Sequence, residues 1–244
     1  MREWFPTDLR TMPADLNQSD DEPLDLAHAE LASQAPVAVA VRKRPKPGER
    51  RVQILQALAT MLEQPSGERI TTAALAARLD VSEAALYRHF ASKAQMFEGL
   101  IEFIEQTVFS LVNQIVEREK PTSEGTFNLG QRQAAKVIAM LVQFSEKNPG
   151  MARVMVGDAL VFENERLQAR MNQFFDKIEA TLKQCLRDGA ADHPTASATP
   201  TVDAQVRASV LAAFVSGRLQ RFVRSGYKRL PSEHLDASLR LLLG

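Results

Sequence analysis

The sequence predicts an all-α protein, with a small three-helix head built on a helix-turn-helix and a larger helical core behind it. Three observations carry this reading. From Glu49 onward apolar residues recur at helical spacing, and no alternating strand pattern interrupts them. Two short apolar segments separated by a tight turn lie between Thr71 and Phe90. Charge is also unevenly distributed, although Lys+Arg and Asp+Glu are each 30. Residues 1–41 hold eight acids against Arg2 and Arg10, whereas residues 42–93 hold ten bases against five acids.

Taken in order, residues 1–47 read as an acidic disordered tail ending in a basic arm at 42–47. In that arm Pro45 and Pro47, with Gly48, oppose helix around Arg42, Lys43, Arg44 and Lys46. The arm either follows a nucleic-acid backbone into a minor groove or is a solvated linker. The head spans 48–95. Val52, Leu55, Ala59 and Leu62 form its first stripe, ended by Pro65-Ser66-Gly67. A short helix follows from the N-cap candidates Thr71 and Thr72 to Leu79, and another runs from Ser82 to Phe90. Ser92-Lys93-Ala94-Gln95 has the form of a capping box that opens a long helix to about Glu119.

The core spans 96–244. After a turn-rich break at Pro121–Gly130, helices are expected at Gln131–Lys147, Ala152–Glu163, Arg166–Asp188, Asp203–Ser225 and Ser232–Leu243. Gly189–Thr201, rich in Ala, Thr, Ser and Pro, reads as a flexible loop.

Between Thr71 and Phe90 the apolar pattern suits two helices crossing steeply. Leu75 and Leu79 face inward from the first, Val81 fills the turn, and Leu86 and Phe90 face back from the second. Ala76 is small where the backbones must approach. An ordinary helical hairpin in a bundle has the same outline. The local basic excess and the polar outward residues Ser82, Glu83, Tyr87, Arg88 and His89 favour a DNA-binding head. Lys93, at the start of the next helix, is placed to meet a phosphate.

Val81 to Phe90 followed by Ser92-Lys93 resembles the signature of the TetR family of DNA-binding proteins. The resemblance implies that Tyr87 and Lys93 touch phosphates. It also implies that the start of the second short helix, with Ser82, Glu83 and Ala84, reads bases. Asp80 departs from the pattern, which commonly has Gly in the turn, but Asp tolerates a left-handed backbone. Met96–Glu105, Asn148–Phe175 and Gly217–Pro231 resemble one branch of that family, the SlmA-type nucleoid occlusion factors. That resemblance covers roughly Glu49 to Leu239 and implies two partners, double-stranded DNA and the tubulin-like division protein FtsZ. It further implies a cytoplasmic, nucleoid-associated location. The FtsZ contact falls on the long helix, with Phe103, and on the loop with Lys147 and Asn148. Phe103 lies about 120° from Phe97, off the inward stripe of Phe97, Leu100, Ile101, Ile104, Val108, Leu111 and Ile115.

Other classes find little support. There is no G-x-S-x-G, H-E-x-x-H or P-loop, and His28, His89, His193 and His234 lack metal-ligand spacing. No enzyme, cofactor or metal is therefore expected. The uncharged run Gln106–Val116 is far short of the roughly 18 residues of a membrane span, and the acidic start lacks a signal peptide's apolar stretch. The single Cys185 excludes an internal disulfide and reads as a packing residue. The rival reading is a ligand-responsive repressor whose pocket is lined by Phe109, Phe144, Phe162, Phe174, Phe175 and Phe214. The same residues equally fill a core.

The last long helices suggest a homodimer with a four-helix interface, two helices from each subunit. Leu167, Met171, Phe174, Ile178, Leu182 and Cys185 make one stripe. On Asp203–Ser225, Val206, Val210 and Phe214 lead to Gly217, while Leu211, Val215, Leu219 and Phe222 form a second face. Phe214, Gly217 and Phe222 are the candidate interface residues. A helix apolar on two faces must bury both, either in one chain or against a second copy.

Overall fold

Helix boundaries in the computed structural model, which describes residues 48–64, 69–120, 128–190 and 199–244, trace to local signals. The tail, the basic arm and most of the two expected loops lie outside the described residues. The described helices are α1 (Glu49–Leu62), α2 (Thr72–Arg78), α3 (Glu83–Tyr87), α4 (Lys93–Arg118) and α5 (Leu129–Lys147). They continue with α6 (Pro149–Met155), α7 (Glu165–Ala190), α8 (Pro200–Arg224) and α9 (Leu235–Leu243). A 3-10 turn at Asp158–Leu160 separates α6 from α7. No strand occurs among the described residues.

The expected caps of the head form. Thr71 Oγ1 accepts from the Ala74 N–H at 3.1 Å, and Ser82 Oγ from the Ala85 N–H at 3.3 Å. Ser92 Oγ accepts from the Gln95 N–H at 3.2 Å. The reciprocal half of that capping box is displaced by one residue, because Gln95 Oε1 takes the Ala91 N–H at 2.8 Å. A complete box occurs instead at Asn128 and Gln131, so α5 begins two residues before the expected Gln131.

Several expectations need correction. The helix expected at Ala152–Glu163 starts earlier and stops sooner. Pro149 fits the first helical turn, and Gly157 at φ 78° ends the run in a left-handed conformation. The segment expected from Ser82 to Phe90 is helical only over Glu83–Tyr87. The start expected at Ser232 moves to Leu235, behind His234 at φ 55°. Val52 points outward, and the inward stripe of α1 is Ile54, Leu55, Leu58, Ala59 and Leu62. On α4, Leu111 and Ile115 are only half-buried, and Val112 carries the stripe on from Val108.

Two glycine contacts set the packing. A Cβ on Gly150 of α6 would lie 2.0 Å from the Ala59 carbonyl oxygen of α1, so the core touches the head backbone to backbone. A Cβ on Gly130 of α5 would lie 2.0 Å from the Cys185 carbonyl oxygen of α7, and Gly189 abuts the same crossing. α7 and α8 pack along their lengths and form the outer layer of the core. Two ion pairs tie α4 to the first half of α7, Glu98 to Arg166 at 2.5 Å and Glu105 to Arg170 at 2.6 Å.

Candidate nucleic-acid interface

The turn between α2 and α3 forms as Asp80 allows. Its φ is 53°, and the Val81 N–H bonds to the Ala76 carbonyl at 3.1 Å. Leu75, Ala76, Leu86 and Phe90 are buried, and the outer side of α3 stays in solvent. Ser82, Glu83, Ala84, Tyr87, Arg88 and His89 are all exposed there, as expected. Three of the candidate residues are already linked. The Tyr87 hydroxyl donates to Thr72 Oγ1 at 3.5 Å, and Thr72 Oγ1 donates to Glu83 Oε2 at 2.5 Å. This chain orients the Tyr87 ring and holds the Glu83 carboxylate toward α2, so Ser82 and Ala84 have the freer approach to a base edge.

Arg51, one of the ten bases of residues 42–93, braces the end of α3. Its guanidinium lies 4.2 Å over the Phe90 ring and donates to the His89 carbonyl at 3.2 Å. Nothing local signals this, because the partners are 38 residues apart.

Lys93 departs from its expected free position. It is the first residue of α4, but its Nζ is paired with the Glu163 carboxylate of the core and lies 5.6 Å from the centre of the Phe97 ring. A second brace joins head and core where α1 ends. The Leu62 carbonyl accepts from the Tyr227 hydroxyl at 3.1 Å and from Arg153 at 3.3 Å, and Arg153 also holds Asp158 at 2.6 Å. Burial pushes the Tyr227 hydroxyl above its ordinary range. A cleft of about 170 Å³ opens beside these braces, lined in part by Arg69, Ile70, Phe97, Val161 and Phe162.

The candidate partner residues lie on α4 and at the end of α5, two helices tied where α4 ends and α5 begins. Glu119 at the end of α4 holds Arg132 at 3.0 Å near the start of α5, together with Lys136. These two cations keep its carboxyl below the usual range, the Lys136 hydrogen bond contributing most. Phe103 lies 16 residues before Glu119 and Lys147 15 residues after Arg132. At about 1.5 Å per residue, Phe103 is about 24 Å along α4 and Lys147 about 23 Å along α5 from that tie. Lys147 is exposed and Asn148 half-buried, its amide donating to the Phe144 carbonyl at 2.7 Å. Phe103 is half-buried rather than fully outside.

The structure separates the two apolar faces of α8. Leu211, Val215, Leu219 and Phe222 turn inward, and Phe222 is 2% exposed, packed 5.2 Å from the Tyr227 ring. Phe222 is therefore corrected from interface candidate to core residue. Val202, Val206 and Val210 are exposed on the other face. Phe214 is half-buried under Arg218, and Gly217 has open space beside it. The six phenylalanines of the rival reading do not converge. Phe109, Phe174 and Phe175 pack edge to face within 5.6 Å, and Phe162 is 72% exposed.

Comparison with known proteins agrees with this architecture. Residues 54–100 match the family model for bacterial regulatory proteins of the tetR family, and residues 130–244 match the SlmA-like tetracyclin repressor-like C-terminal domain. The nucleoid occlusion factor SlmA of Idiomarina loihiensis is 48% identical over 193 residues, covering 79% of this chain and 93% of that protein. Its Shewanella pealeana counterpart is 49% identical over 187 residues, covering 77% and 89%. Among solved structures, a TetR transcriptional regulator from Legionella pneumophila shares the fold at TM-score 0.61 and 14% identity, over 81% of this chain and 97% of its own. The regulator FadR from Bacillus subtilis, solved with stearoyl-CoA, does so at TM-score 0.61 and 16% identity, over 79% and 97%. These relatives are named as nucleoid occlusion factors and transcriptional regulators. The chain belongs to the SlmA family of nucleoid occlusion factors, a branch of the TetR-type helix-turn-helix proteins.

Proposed function

We propose that this protein is a homodimeric inhibitor of cell division that binds chromosomal DNA and FtsZ together and disrupts FtsZ assembly over the nucleoid. α3 enters the major groove, Ser82 and Ala84 approach base edges, and Thr71, Tyr87, Arg88 and His89 flank the backbone. Two copies joined through the outer face of α8 present two such helices about 34 Å apart, so the site is near-palindromic. One observation carries the combined reading. The exposed residues of α3 lie on a different element from Phe103, ten residues into α4, and from Lys147 and Asn148 at the end of α5, which supports separate sites for the two ligands. An aromatic, a cation and an amide acting together would suit an acidic, partly apolar peptide segment.

The ligand-responsive repressor remains the second reading, and the edge-to-face packing of Phe109, Phe174 and Phe175 weighs against it.

Light scattering of FtsZ with GTP, with this protein and its DNA site present, tests the proposal. Assembly falls with the parent protein and persists with Lys147→Glu or Phe103→Ala, while DNA affinity and melting temperature are retained. Unchanged FtsZ assembly with the parent protein overturns the reading. A large fall in melting temperature for Phe103→Ala instead makes Phe103 a core residue.

A further inference from the structure

The Lys93–Glu163 pair joins two parts of the molecule that the DNA-binding reading treats separately. Lys93 opens α4 directly behind the exposed side of α3. Glu163 belongs to the loop before α7, 70 residues away. The loop holds that carboxylate in place: the Glu163 N–H bonds to the Leu160 carbonyl at 3.0 Å, and Asn164 Oδ1 accepts from the Arg166 N–H at 3.1 Å. The side chains are 20% and 9% exposed, so the lysine is reachable from solvent and the carboxylate much less so. With Glu163 bound, the pair carries no net charge. A phosphate approaching the same ammonium meets a carboxylate already there, and two anions on one cation repel.

We infer that Glu163 is a positioning residue for DNA docking, which withholds Lys93 from the phosphate backbone until the DNA displaces it. The inference rests on the proposed docking of the head on duplex DNA. Docking through Lys93 then breaks one tie between head and core and leaves the Glu163 loop without its cation. That loop also carries Val161 and Phe162, which are 68% and 72% exposed. By linkage, whatever fastens the loop to α4 weakens DNA binding, and DNA binding loosens the loop to the same extent.

Fluorescence anisotropy with a short random-sequence duplex, across a salt series, tests this on the full chain. Glu163→Gln removes the competing charge at nearly constant shape. It should tighten binding about fivefold at low salt. It should also steepen the salt dependence by up to about one unit per protomer, a change that a purely structural role does not produce. Glu163→Asp, which keeps the charge but draws it back, should move binding the same way by less. Lys93→Gln should weaken binding, and adding Glu163→Gln to it should give no gain. If the parent binds and Lys93→Gln weakens it, but Glu163→Gln matches or falls below the parent, the inference is overturned and the docking reading stands. If the parent binds no duplex even at low salt, the docking reading fails and takes the inference with it.

Discussion

α7 and α8 are nearly equal in length and lie side by side, yet their outward faces differ in kind. α7 buries Leu167, Met171, Phe174, Ile178, Leu182 and Cys185 and turns Asn172, Gln173, Asp176, Lys177 and Gln184 to water. α8 buries its own stripe and still exposes Val202, Val206 and Val210, with Gly217 further along. A helix finished by its own chain becomes polar on the far side, whereas α8 does not. Under the proposed dimer, the difference separates an element that completes the subunit from one that meets a second copy.

The sharpest way to break this comparison is to charge each outer face in turn. Val206→Asp with Val210→Asp should convert the dimer to monomer in analytical ultracentrifugation, with an intact helical spectrum. Gln173→Asp on α7 should leave the mass unchanged. A dimer that survives the α8 change assigns the interface elsewhere.

A smaller effect is expected from the glycines. Gly150→Ala pushes a methyl into the Ala59 carbonyl and should cost about 1–3 kcal/mol in denaturant unfolding. Gly217→Ala meets nothing within the chain. It should raise subunit stability by about 0.5–1 kcal/mol through helix propensity and also change the dimer dissociation constant.

The smallest effect sharpens the inner side of α7. Burial pushes the Cys185 thiol up to about 11, with the nearby Asp188 adding to the rise. The unfolded thiol ionises near 9.0, so the folded state loses stability as pH climbs from about 9 to about 11 and loses none of it below. Unfolding midpoints of the parent and Cys185→Ala across that range should diverge on the alkaline side only. Slow alkylation of the native thiol at pH 8 is expected for the same reason.

Much of the head was legible because its signals are local. The caps at Thr71, Ser82 and Ser92, the left-handed Asp80 and the buried Ala76 follow from residues a few positions apart. Errors arose where a local signal was overridden or shared. Pro149 opened a helix the apolar period placed later, and Gly157 closed it early. The two faces of α8 were visible, but which face the chain would use for itself depends on how α5 and α7 lie against it. Phe222 was misassigned for that reason.

The helical class, the helix-turn-helix and its exposed polar residues are legible in the chain alone, since periodicity and capping act within a few turns. Only the tertiary structure decided the long-range pairings. Arg51 on the His89 carbonyl, Arg153 and Tyr227 on the Leu62 carbonyl, and Lys93 on Glu163 join residues 38 to 165 positions apart. Such pairs depend on which helices the core brings together, and no short stretch of chain contains that information.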